Sequence, residues 1–91
     1  MVKIGLYDYQ LSNKKGKKLM VVVKGKTIHF GDINFKNFFD KTGLLDKKLN
    51  HRDKKRQENY LKRAKGIKNK KGELTYKDPM SANYHAVKIL W

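Results

Sequence analysis

Apolar positions alternate with polar ones through the first third of the chain and recur at helical spacing in the last. Val2, Ile4, Leu6 and Leu11 stand among Tyr7 and Tyr9 with no proline between them, which reads as a first strand. Ser12 to Lys18 is polar, carries Asn13 and Gly16, and reads as a turn. Leu19-Met20-Val21-Val22-Val23 is β-branched and bounded by turn residues, so a central strand is expected there. Lys24-Gly25 makes a tight two-residue turn with Gly25 at positive φ. Lys26 to Phe30 then alternates, directing Ile28 and Phe30 to the core, and Gly31 ends the strand. The pattern predicts a three-stranded antiparallel sheet over residues 1–31.

Residues 32–50 are less regular. Phe35, Phe38 and Phe39 fall at helical spacing and predict a short helical turn against the sheet, broken by Thr42-Gly43, with Leu44-Leu45 as a second apolar anchor. Residues 51–65 are the strongest helix candidate. Asn50 or His51 serves as cap, Asp53 suits the first turn, Gly66 suits the C-terminal cap, and Tyr60, Leu61, Ala64 and Ile67 make a narrow apolar stripe. Residues 66–78 read as a loop turning at Lys70-Lys71-Gly72. Asp78-Pro79 signals a helix start, with Ser81 the competing cap, and Met80, Tyr84, Val87 and Trp91 share one face of a helix over 79–91. The fold class that follows is α+β, one domain over residues 1–91: the sheet covered by the basic helix and closed by the C-terminal one.

Composition narrows the function classes. Apolar residues are 38% of the 91, a thin share for a folded domain, yet they cluster, and ten aromatics bury much area each. There is no cysteine, which excludes disulfides, thiolate metal sites and Cys nucleophiles. The longest apolar run, Leu19 to Val23, is too short to span a membrane, and no secretory h-region follows the N-terminus. A soluble, intracellular protein is expected.

Charge carries the functional reading. Twenty-three Lys and Arg oppose eight Asp and Glu, for a formal net charge of +15, more than solubility requires. Leu11 to Phe30 holds six lysines and no acid, and Lys47 to Lys71 holds twelve Lys or Arg against Asp53 and Glu58. On the candidate helix Arg52, Lys55, Lys62 and Arg63 lie away from the apolar stripe, Arg56 flanks it and Asn59 adds an amide. With Lys14, Lys15, Lys17 and Lys18 of the hairpin and Lys70 and Lys71 of the loop, these form a candidate phosphate-binding set. A solvated helix face is the plainer reading, but such faces mix signs at i,i+4 more than this one does. Base stacking on Tyr7, Tyr9 and His29 is the weaker alternative to half-buried strand tyrosines.

Catalysis is not expected. His29, His51 and His85 lack metal-ligand spacing. Asp32, Asp40 and Asp46 make no convincing Mg²⁺ set, and a one-metal nuclease would rest on His51 and Asn50 alone. No glycine run cradles phosphate. No cofactor or metal and no small-molecule substrate is expected. The expected partner is DNA or RNA, with an acidic protein as the alternative.

Three segments together carry a resemblance: Gly25-Lys26-Thr27-Ile28-His29-Phe30-Gly31; His51-Arg52-Asp53 through Arg56 to Tyr60-Leu61-Lys62-Arg63-Ala64-Lys65; and Asp78-Pro79-Met80-Ser81 leading to Leu90-Trp91. Their order resembles an uncharacterised family of small basic proteins of large DNA viruses and bacteriophages, with a K-x-I-H-F-G strand, an H-x-D-x-x-R-x-x-Y-L-x-R helix, an Asp-Pro turn and a closing Leu-Trp. Arg52 stands where that pattern usually has Lys and Ala64 where it often has His, and the 34–50 segment is longer than in the common viral form and closer to the phage versions. The resemblance implies viral or phage origin, and with it a place in host cytoplasm or nucleoid or in a virion, and transfers no catalytic or binding residues.

Overall fold

The computed structural model describes residues 2–91 and shows an α+β domain. Four strands, β1 (Val2–Ile4), β2 (Tyr7–Leu11), β3 (Lys17–Val23) and β4 (Lys26–Asp32), form one antiparallel sheet in the order β1-β2-β3-β4. Two helices follow, α1 (Lys54–Ala64) and α2 (Ala82–Ile89). The expected first strand is therefore two strands joined at Gly5-Leu6. Gly5 sits at φ 64°, Ile4 pairs with Tyr7, and Leu6 is left 85% exposed at the tip. The β3–β4 hairpin turns at Lys24-Gly25 as expected, with both residues at positive φ, 51° and 79°.

One sheet face is apolar. Tyr9, Leu19, Val21, Val23, Ile28 and Phe30 are buried on it and meet Ala86, Ile89 and Leu90. α2 is thus the element that covers the sheet, packing on β4, whereas α1 packs on α2. The expectation that the basic helix covers the sheet is corrected, and so is the face of α2. Its buried side is His85, Ala86 and Ile89, continued by Leu90, while Met80, Tyr84, Val87 and Trp91 are only half-buried. α2 starts late because Ser81, not Asp78, caps it, accepting from Asn83 N at 3.1 Å. Asp78 closes the turn before it, accepting from Met80 N at 3.0 Å.

Gly31 does not end β4, which runs on to Asp32. It sits at φ 79°, and a Cβ placed on it would lie 2.9 Å from Leu90 Cδ1 and 3.2 Å from Lys18 Cβ. Gly31→Ala combines left-handed strain with a core clash and is expected to lower stability by about 2 kcal/mol. A lowered urea midpoint at unchanged m-value is the outcome to look for.

The phenylalanine segment forms no helix, because its backbone groups are committed elsewhere. Phe39 N donates to Leu90 O and Lys41 N to Ile89 O, both at 3.1 Å. Asn37 N donates to Leu49 O and His51 N to Asn37 O, both at 2.9 Å. The buried Asp40 carboxylate accepts from Thr42 N, Thr42 Oγ1 and Leu45 N at 2.6–2.9 Å and folds the loop about itself. Phe38 and Phe39 end half-buried and Phe35 68% exposed.

Candidate nucleic-acid interface

Asp53, rather than Asn50 or His51, starts α1, its carboxylate accepting from Lys55 N at 3.0 Å and Arg56 N at 3.4 Å. Lys65 ends the helix in right-handed conformation. Gly66 is not at positive φ, and Ile67 is 50% exposed, so neither plays the part its position suggested. Gln57, Tyr60, Leu61 and Ala64 form the inward stripe. At 100° per residue, Arg56, Asn59 and Arg63 fall on one flank of that stripe and Lys55 and Lys62 on the outer face.

Because α1 leans on α2 and not on the sheet, a cleft of about 720 Å³ opens between its Arg56/Asn59/Arg63 flank and the ends of β3 and β4. Lys17, Gly31 and Asp32 line the sheet side, with Lys36 and Asn37 of the following loop. Phe30, Leu90, Tyr60 and Trp91 supply the apolar part of the wall. The Tyr60 and Trp91 rings stack in parallel, centroids 4.0 Å apart at 8°, and Gln57 Nε2 donates to Trp91 O at 2.8 Å. These contacts tie the middle of α1 to the end of α2. The exposed ring of Phe35 also borders the cleft. All three segments of the family-like pattern send residues here: Phe30 and Gly31; His51, Arg56, Tyr60 and Arg63; Leu90 and Trp91.

The twelve candidate residues divide. Lys17, Lys18, Arg56, Asn59 and Arg63 line the cleft. Lys14 and Lys15 are exposed on the connection that leads into β3 at Lys17, and Lys55 and Lys62 project from α1. Lys70 and Lys71 stand on a separate turn, held by Asn69 Oδ1 accepting from Lys71 N at 2.9 Å and Glu73 N at 3.1 Å. Arg52 is also outside the cleft, its guanidinium 4.7 Å over the Phe39 ring.

Lys18 must be corrected. It is 5% exposed and donates to Phe35 O and, at 3.0 Å, to Asn37 Oδ1, so its ammonium braces the 35–37 loop and is not free for a phosphate. Burial pulls its pKa down, partly opposed by Asp32 and Asp40. The stacking surface on Tyr7 and Tyr9 is also excluded. Tyr9 is fully buried with its hydroxyl 2.8 Å from His85 Nδ1, and Tyr7 sets its ring edge-on to Tyr84 and His85.

His51 is the site's least satisfied group. Its Nδ1 accepts from Asp53 N at 2.9 Å, which places the ring proton on Nε2, and that nitrogen is enclosed without a partner. Burial and the neighbouring Arg56 lower its pKa, with Asp53 opposing, so the ring is held neutral. Lys36, Asn37, Phe35 and the Tyr60–Trp91 stack were not marked by the charge pattern. Asn37 is the most hidden of these, 1% exposed and bonded through Nδ2 to Asn50 Oδ1 at 2.8 Å.

Among the described residues no group of three or more His, Asp or Glu could hold a metal ion, and no helix is long and apolar enough to cross a membrane. Comparison with protein-family models, with curated proteins and with solved structures returns no match.

Proposed function

We propose that this chain is a non-enzymatic nucleic-acid-binding protein of a virus or bacteriophage, gripping the phosphate backbone along the rim of the α1–sheet cleft. The observation that carries the reading is the convergence of Arg56 and Arg63 from α1 with Lys17 and Lys36 from the sheet side, against Asp32 alone as an acid at the cleft. Cations on both sides of a groove follow a strand of phosphates, and the guanidinium forks of Arg56 and Arg63 match phosphate oxygens in geometry. Lys14 and Lys15 extend the basic rim along the hairpin, while Lys55 and Lys62 add longer-range field from the outer helix face. The viral or phage assignment rests on the three-segment sequence pattern.

Fluorescence anisotropy with labelled single strands and duplexes, read across a salt series, tests the proposal. Four to six phosphate contacts predict that log K for a single strand falls with log salt at a slope of about −3 to −4. Millimolar binding without a salt slope overturns it. Equal affinity for poly-glutamate of matching length overturns it in favour of an acidic protein partner.

A further inference from the structure

We infer that the cleft takes in one unstacked nucleotide of a bound strand, so that the protein selects single-stranded or frayed nucleic acid over intact duplex; this rests on the phosphate-binding reading above. A site for phosphates alone needs cations on a surface. This one spans about 720 Å³ and has aromatic residues as well as cations in its lining. A nucleotide presents the matching pair of chemistries, a flat π-face and an anionic ester on either side of it. Phe35, 68% exposed, brings an aromatic side chain to the cleft beside Lys36. The Tyr60–Trp91 pair borders the same space, already stacked.

The same cleft carries polar side chains as well. Asn59 brings an exposed side-chain amide to the cleft. His51 also lines the cleft, its Nε2 enclosed and without a partner among the described residues. A free base edge can meet the Asn59 amide, which both donates and accepts. An intact duplex keeps its bases stacked and cannot offer this, because the target must first leave the helix. The wall is also firm: Lys18 clamps the 35–37 loop from beneath, and Gln57 and Trp91 hold α1 in place.

The test compares a single-stranded DNA or RNA oligonucleotide with a fully abasic strand of the same length and phosphate count, and with duplex. Trp91 is the sole tryptophan, so its fluorescence reports on the cleft directly. Base–aromatic stacking of about 1–3 kcal/mol predicts roughly 5- to 150-fold weaker binding of the abasic strand, without the tryptophan quench that the base-bearing strand produces. Phe35→Ala, at an exposed site and so without cost to folding, should weaken the base-bearing strand several-fold and leave the abasic strand unchanged. If the abasic strand binds as tightly and quenches as much, or duplex binds as tightly as single strand, the inference is overturned while phosphate binding stands. If no strand binds at all, phosphate binding falls and the inference with it.

Discussion

A variant carrying Lys17→Glu, Arg56→Glu and Arg63→Glu is expected to bind a single strand at least about a hundredfold more weakly than the parent at low salt. Each charged hydrogen bond to phosphate contributes roughly 1.5–3 kcal/mol, and each reversal replaces attraction by repulsion at the same spot. The log–log salt slope should flatten by about 2, since three phosphate contacts disappear at about 0.7 each. All three side chains are exposed, and the Arg56–Asp53 pair that is lost, 3.8 Å and well solvated, adds little to stability. The fold should therefore survive.

The control is a second triple reversal, Lys55→Glu, Lys62→Glu and Lys70→Glu. Each reversal removes two charges, so either triple takes the formal net charge from +15 to +9. If binding follows net charge, the two variants lose affinity alike. If the cleft is the interface, the outer-face variant loses much less, and anisotropy at one salt concentration separates the two outcomes.

The largest effect on stability is expected at His85. Its ring is fully buried among Tyr7, Tyr9, Phe30 and Tyr84, with centroids 4.8–5.8 Å away. Nε2 lies 2.7 Å from Pro79 O, which can only accept, so Nε2 carries the proton and Nδ1 accepts from the Tyr9 hydroxyl. His85→Ala leaves a ring-sized cavity and a buried tyrosine hydroxyl without its partner, a loss of about 3–5 kcal/mol. Small domains are stable by only about 5–15 kcal/mol, so the variant should sit close to unfolding at room temperature. Tyr9→Phe removes one hydrogen bond without opening a cavity and should cost about 1–3 kcal/mol. Urea denaturation of both variants checks the order.

The same residue sets an acid limit. Burial, with Lys88 assisting and the Pro79 hydrogen bond opposing, holds the His85 pKa below the ordinary 6.5. As pH falls through that ordinary value the unfolded chain takes up a proton that the folded one refuses, so stability declines. The decline stops once pH passes below the folded pKa. His51 is shifted the same way and adds to it. Parent protein should therefore unfold at lower urea at pH 5 than at pH 7.5, and His85→Ala should lose part of that difference.

Much of the fold was legible because local patterns decide it. The β3–β4 hairpin turns where its residues put it, and α1 and α2 fall inside the expected helical stretches, each starting about three residues later. The extra strand was legible too, in a feature easy to pass over. The apolar positions are even at Val2, Ile4 and Leu6 and odd at Tyr7, Tyr9 and Leu11, and such a phase change means a turn and not a continuous strand. Phe35, Phe38 and Phe39 misled because helical spacing also arises where tertiary hydrogen bonds to Ile89 and Leu90 have claimed the backbone. Lys18 could not be told from Lys17, since its burial depends on a loop 17 to 19 residues away in sequence. Nor could the cleft be read in advance. Its walls come from four separate segments, and it exists only because α1 leans on α2 and leaves the sheet edge open.

The order of the strands also bears on how the chain is made. Every sheet neighbour is a sequence neighbour, so the sheet closes only short loops, and the cost of closing a loop rises with its length. The Tyr9–His85 hydrogen bond joins residues 76 apart, and α2 is the element that brings them together. A growing chain can therefore complete all four strands while Ala86, Ile89 and Leu90 are still unsynthesised. For that interval the face bearing Leu19, Val21, Val23, Ile28 and Phe30 lacks its α2 cover, and the newborn molecule is a sticky sheet before it is a closed domain.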